Sequence, residues 1–265
     1  MIWALLLFLG VVAAVHWWEY QNSVQEYTFA QPASLERELR TVIAEKTPVT
    51  LEIGALPWRP EVAEKAPWTI QTSDGIVCSS GAWLAETPRP AFTNQSELAA
   101  QMDLVTGLAD MDAARGWWWL PGLHDATVDV LPAGGVSGLT WVTGERQWIG
   151  CSAGSPLTVW LVHSRYRRFL PSGSGEAADP VDPWSLTVAE APWIGRVQYI
   201  EVRIRPGWCL GLPAHWGWAL RTEEPAEAWW WQAVQHSALS WLLSSTDPRM
   251  QGPEHTELLN SESAE

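Results

Sequence analysis

The hexapeptide Ile200–Arg205 constrains the fold more than any other part of the chain. Ile200, Val202 and Ile204 alternate with Glu201, Arg203 and Arg205. Side chains on an extended strand point to opposite faces in turn, so this pattern predicts a half-buried strand with one wet face. Pro206-Gly207 supplies a turn, and Trp208–Leu212 then runs into Pro213. Four more runs rich in β-formers lie at Thr127–Leu131, Leu139–Thr143, Gln147–Cys151 and Leu157–His163. Trp229–Gln235 fits a strand or a helix equally well. So many short strands between Gly and Pro predict a mainly β body, a sandwich or jelly roll, with a few short helices.

The helices come earlier. Ser34 is a plausible cap for Leu35–Glu45, which carries Leu35, Leu39, Val42 and Ile43 on one face and stops at Thr47-Pro48. Val49–Ile53 reads as a strand, and the proline-rich stretch 54–93 as loops and brief strands. Ser96–Asp112 has Leu98, Met102, Val105 and Leu108 near helical spacing. Residues 171–183 (PSGSGEAADPVDP) read as a flexible insertion, and the acidic tail 245–265 as disordered.

Ile2–Val15 is wholly apolar and is followed by His16, Trp17 and Trp18. A span needs about 17–25 mostly apolar residues, which this run reaches only with the Trp pair. Trp favours the headgroup level, so residues 1–18 predict a membrane anchor, with 19–32 as a polar tether and 33–244 as one body. Two other readings stay open. One is a cleaved signal peptide ending near Ala13-Ala14, although no basic residue precedes the run; the other is a buried helix.

The chain has 265 residues, 47% of them apolar and 17% charged, enough for a real core. Its net charge of −14 argues against a general nucleic-acid binder, which needs a surplus of Lys and Arg. Three cysteines, Cys78, Cys151 and Cys209, are too few and scattered for a disulfide scaffold or a zinc finger. There are 21 Trp against four Tyr and four Phe. The runs Trp117–Trp119 and Trp229–Trp231 suggest sugar stacking. On a strand, however, three consecutive Trp put two on one face and one on the other, so part of each run is core.

Three stretches together resemble a known pattern. EVRIRPGWCLGLPAHWGWAL (201–220) is similar to the C-terminal strand pair of cupin-like and JmjC-type double-stranded β-helix proteins. RQWIGCSAGSPLTVWLV (146–162) is similar to the earlier strand–Gly–strand hairpin of that fold. ADPVDPW (178–184) resembles a segment of membrane-anchored cupin-like proteins of large DNA viruses, which also open with a short apolar helix, a tether and a small helix; AEKTPVTLEIG (44–54) matches the last of these. The resemblance implies a cupin-like jelly roll in which 146–162 and 197–212 are antiparallel hairpins. It also implies the positions of a non-haem iron site, a His-x-Asp/Glu on the hairpin and a later His. In a register anchored on Gly154 and Pro213, those positions hold Trp141, Thr143 and Trp218, none a usual metal ligand. The position for a 2-oxoglutarate contact falls near Trp160.

Other residues offer weaker chemistry. His124-Asp125 is an adjacent His–acid pair and a weak metal candidate, but neighbours on a strand face opposite ways. His215, beside a turn, reads as exposed, and His163, before Arg165, Arg167 and Arg168, as solvated. Those three arginines are the one positive cluster and the candidate contact for an anion. Cys151 and Cys209 lie on the two resembling hairpins and read as inert packing. The expectation is a single-pass membrane protein whose cupin-like body has no metal and no cofactor and acts in structure or binding. Its partners would be a membrane through residues 2–18 and an unidentified protein or glycan, with no nucleic acid. The alternatives are a 2-oxoglutarate/Fe(II) oxygenase with displaced ligands and a secreted Trp-rich glycan-binding module.

Overall fold

The computed structural model describes residues 2–3, 7–8, 10–11, 13–15, 46–54, 56, 58–72, 75–86, 95–104, 123–171, 181–222 and 226–236. The expected tether, the Leu35–Glu45 helix, Trp117–Trp119, most of the 171–183 insertion and the acidic tail lie outside the described residues. Those described between 2 and 15 are helical, and Ile2, Trp3, Leu7, Phe8, Val11 and Val15 are all at least half exposed.

The body is mainly β. In chain order it runs β1 (Val49–Glu52), α1 (Pro60–Ala63), β2 (Thr69–Gln71), β3 (Val77–Ser79), α2 (Ser80–Ala85), α3 (Ser96–Gln101), β4 (Leu123–Leu131), β5 (Thr140–Trp141), β6 (Arg146–Gly154) and β7 (Leu157–His163). Two 3-10 turns follow, η1 (Ser164–Phe169) and η2 (Ile194–Arg196), and then β8 (Tyr199–Ile204), β9 (Trp208–Pro213), β10 (Trp216–Thr222) and β11 (Ala228–His236). One antiparallel sheet has the order β1-β9-β6-β11-β4 and a second the order β5-β10-β7-β8; β2 and β3 form a separate ribbon. Proline does not exclude helix from 54–93: Pro60 starts α1, where its missing N–H costs nothing, and the Ser79 hydroxyl caps α2 by accepting from the Ala82 N–H at 3.2 Å.

The two large sheets pack face to face. Ile149, Cys151, Leu210, Leu212 and Trp230 from one meet Leu157, Val159, Leu161, Trp218 and Leu220 from the other. The alternation at β8 keeps its predicted register: Ile200, Val202 and Ile204 turn to this core, while Glu201 and Arg203 are exposed. Trp229–Gln235 resolves as strand, with Trp229 and Trp231 on the outer face of the five-stranded sheet and Trp230 on the inner face, all three buried.

The expected hairpins are corrected. β6 does not pair with β7, nor β8 with β9; each pair is split between the two sheets. β7 is buried along its whole length, as befits a strand covered on both faces. Splitting the pair sets Ile149 and Cys151 opposite Leu157, Val159 and Leu161 across the core. A flat hairpin would line up all five on one uncovered surface. Two glycines permit the crossings. Gly154 has φ +81, and a Cβ there would sit 2.1 Å from the Glu227 carbonyl oxygen; Gly207 has φ +85.

Glycine also explains where the large indoles fit. Trp231 is paired directly with Gly150, Trp148 with Gly211, and Trp141 with Gly217. A Cβ on these glycines would meet the paired ring at 2.1, 2.5 and 2.9 Å respectively. Each indole lies flat over the bare backbone of the neighbouring strand.

Both outer faces of the sandwich are covered. On the five-stranded side the helices and the β2–β3 ribbon bring Trp58, Trp68 and Trp83 onto Trp229, with the Trp58 and Trp229 rings 4.3 Å apart. On the four-stranded side Trp160, Val162 and Ala219 are covered by Leu170, Trp184, Leu186, Ile194 and Val197.

Candidate functional site

Polarity is unevenly distributed along the inter-sheet space. Hydrogen bonds from the Ala214 N–H to the Glu145 carbonyl and from the Val142 N–H to the Trp216 carbonyl gather the ends of several strands at one end of the sandwich. The register adds Gln235 opposite both Arg146 and His124, and His163 opposite Trp216. The far end holds Leu131, Cys151, Leu157, Leu220 and Ala228. The near end holds Gln147, Gln232, Trp218, His163 and His236, and this is the candidate site.

Three of these form a chain across the two sheets, buried at Trp218 and Gln147 and half-buried at Gln232. The Trp218 indole donates to Gln147 Oε1 at 3.0 Å, and Gln147 Nε2 donates to Gln232 Oε1 at 2.7 Å. Beside it runs the inward row of the edge strand β4. Asp129 is buried and accepts from the Thr127 hydroxyl at 3.3 Å, whereas Asp125 is 76% exposed. The row therefore leads from solvent at Asp125 into the inter-sheet space at Asp129. A buried imidazole stands at its mouth: His236 Nε2 lies 3.5 Å from Asp125 Oδ2, and His236 Nδ1 is buried with no hydrogen-bond partner.

Asp125 thus finds its histidine across the ladder on β11, not at its chain neighbour His124, whose side chain lies outside the described residues. Nothing in the linear spacing marks His236. The signal is its place two residues beyond Val234 in the inward row Trp230, Gln232, Val234, which becomes readable once β11 is a strand.

The other expected residues fall as follows. Trp141, Thr143 and Trp218 do not converge. Trp218 points into the core, while Trp141 lies over Gly217 on the outer face, because Val142 takes the inward position between Trp141 and Thr143. His163 is buried rather than solvated, at 5% exposure. Its Nδ1 accepts from the Arg165 N–H at 3.2 Å, and its ring meets Trp216 edge-on at 5.6 Å. Burial first, then Arg165 and His215, hold its pKa down to about 4, so it is neutral at pH 7. His215 is half-buried rather than exposed and sits at φ +70 in the β9–β10 turn.

Cys151 and Cys209 occupy adjacent strands one register step apart, with Gly150 opposite Cys209. Their side chains consequently enter different cores, and both thiols are free. Arg165, Arg167 and Arg168 are exposed on η1 and lie over the rings of Tyr166, Trp141 and Phe169. Among the described residues, no group of three His, Cys, Asp or Glu side chains is placed to hold a metal ion.

No family model matches the chain, and no curated protein matches it. Two similar solved structures are Peruvianin-I, a cysteine peptidase from Thevetia peruviana latex, and procruciferin, an 11S globulin from Brassica napus. Each is 10% identical over 43% of this chain, with TM-scores of 0.27 and 0.28. The matches span 50% of the peptidase chain and 21% of the globulin chain, and neither carries an argument about what this chain does.

Proposed function

We propose that the chain is a membrane-anchored, cupin-like protein whose double-stranded β-helix body serves a binding or structural role instead of oxygenase chemistry. The observation that carries this reading is the strand order. The chain changes sheet between β6 and β7 and again between β8 and β9, as jelly rolls do, and it brings a polar inner surface to one end. A site determines activity, and a fold does not. At that end the inward-facing groups are the Gln147 and Gln232 amides, the Trp218 indole, the His163 and His236 imidazoles and the Asp125 and Asp129 carboxylates, a mixed set that suits hydrogen bonding to a polar ligand. Burial of Trp229–Trp231 removes the sugar-stacking surface that this run would otherwise offer.

The anchor part rests on the exposed apolar side chains of residues 2–15, which gain by leaving water. Among the described residues, no helix is long and apolar enough to cross a membrane. Carbonate extraction of the full chain should leave it in the membrane pellet, and N-terminal sequencing should find residues 2–18 retained. Release into the supernatant, or a mature start at Val15 or His16, would replace the anchor with a secreted module. Purified protein should hold no stoichiometric Fe(II), Mn(II) or Zn(II) and should form no succinate from 2-oxoglutarate. One tightly bound iron per chain, lost in His236→Ala, would promote the oxygenase reading.

A further inference from the structure

The four-stranded side of the body carries a surface unlike the rest of this acidic chain. Arg165, Arg167 and Arg168 on η1 and Arg196 on η2 are all exposed. Their guanidinium carbons lie 4.7, 5.1, 4.7 and 4.4 Å from the centroids of Tyr166, Trp141, Phe169 and Trp193. The two turns are joined: Arg165 Nη2 and the Tyr166 hydroxyl both donate to Gln198 Oε1, at 3.1 and 2.8 Å. Gln198 lies between η2 and β8, so one side chain holds both arginine-bearing turns together. On the same face Trp193, beside Arg196, is 52% exposed, and Tyr199, next to Gln198, 53%. Among the described residues of this side, Asp182, Glu190 and Glu201 each have a local partner; Asp182 accepts from the Trp184 N–H. Glu190 accepts from the Thr187 N–H and hydroxyl, and Glu201 accepts from the Trp184 indole.

We infer that the η1–η2 face, with Trp193 and Tyr199, docks on an anionic phospholipid surface. Stacked guanidinium groups are held in place and weakly hydrated, which suits phosphate contact. Exposed Trp and Tyr favour the headgroup layer, and each arginine near an anionic leaflet contributes a factor of about five in binding. A nucleic acid is the poorer fit. It requires a continuous basic track, and it offers no interfacial layer for the exposed Trp193 and Tyr199. The inference builds on the anchored reading: residues 2–18 would bring the chain to a bilayer, and this face would set how the body lies on it.

The test uses the full chain with Cys78→Ser and Gly195→Cys. Open space surrounds a Cβ at Gly195, and Cys151 and Cys209 are buried, so an environment-sensitive fluorophore labels position 195. Labelled protein is mixed with vesicles of phosphatidylcholine alone or with 30% phosphatidylserine (on the order of the anionic content of a charged leaflet). A blue shift on the anionic vesicles only is expected. It should be reversed at high salt, weakened by an order of magnitude or more in Arg167→Glu/Arg168→Glu, and left unchanged by an oligonucleotide competitor. Equal emission on both vesicles, salt-insensitive emission, or displacement by the oligonucleotide would overturn the inference. Sedimentation with phosphatidylcholine alone reports the anchor separately. Failure there together with a blue shift on anionic vesicles would reject the anchor and support the docking face.

Discussion

Adding one methyl group at Gly150 tests how this core is built. In most strands Gly→Ala stabilises slightly, because alanine loses less backbone freedom on folding. Here the new Cβ would lie 2.1 Å from Trp231 Cε2, 2.2 Å from Nε1 and 2.3 Å from Cζ2. Those separations are ~1 Å inside any tolerable contact, so an atom pair must move by that much in an interior packed to crystal-like density. Neither partner has room. Trp231 is fully buried, and Gly150 lies mid-strand between β9 and β11. Overpacking of this kind costs about 1–3 kcal/mol, and the upper end applies to a rigid indole.

Gly150→Ala should therefore lower the midpoint of thermal unfolding by about 6–12 °C in a body of this size. A double-mutant cycle isolates the cause. Trp231→Ala alone should cost about 3–5 kcal/mol, and adding Gly150→Ala to it should cost under about 0.5 kcal/mol. Melting of Gly150→Ala within a degree of the parent, or an equal penalty with and without the Trp231 ring, would refute the idea that the glycine exists to seat the indole.

The same reasoning ranks Gly211→Ala as destabilising beneath Trp148, while Gly195→Ala, in open space, should leave the melt unchanged. His163 gives a pH effect. Its folded pKa of about 4 lies below the ordinary 6.5, so the unfolded chain binds more protons between these values. Its contribution is complete above pH 6.5 and is lost as pH falls toward 4, by about 3 kcal/mol, so a urea-midpoint profile for His163→Gln should be flatter over that window than the parent's. Burial pushes the Cys151 thiol up to about 12 and raises Cys209 too, so a thiol reagent should modify one cysteine per native chain, Cys78, and all three after denaturation. Within the polar chain, Gln147→Leu strands the buried Trp218 indole N–H and removes one partner of the Gln232 amide oxygen, and should cost about 1–3 kcal/mol in a urea melt.

Much of the body was legible from local pattern. The alternation in Ile200–Arg205 determined which side of β8 faces inward, because a half-buried edge strand shows its two faces as two chemistries. β7 could be placed but not oriented, since a strand buried on both sides has no polar face to read. Pairing was the larger gap. Leu157–Val162 and the strand before it look like a hairpin in sequence, and only the need to cover both apolar rows sends them to different sheets.

The site was harder to read for the same reason. Asp125 and His236 lie at opposite ends of the β region and meet because β4 and β11 are neighbours in the ladder. At Trp141 the inward position belongs to its neighbour Val142, and on a strand a one-residue offset exchanges inside for outside. The charges that follow His163 suggest a solvated ring, but its own position continues the buried row of Leu157, Val159 and Leu161.

The ladder also sets a timetable for synthesis. Among the described strands β1 pairs with β9 alone, and β4 and β5 find their ladder partners in β11 and β10. At ribosomal speeds the interval between the emergence of β1 and that of β9 is on the order of ten seconds. During it the first strand and the indoles of Trp58, Trp68 and Trp83 have no sheet to lie on. The nascent chain is thus most vulnerable to capture by chaperones or by other nascent chains before its final quarter is made, and a truncation before β9 should yield a sticky polypeptide instead of a smaller folded body.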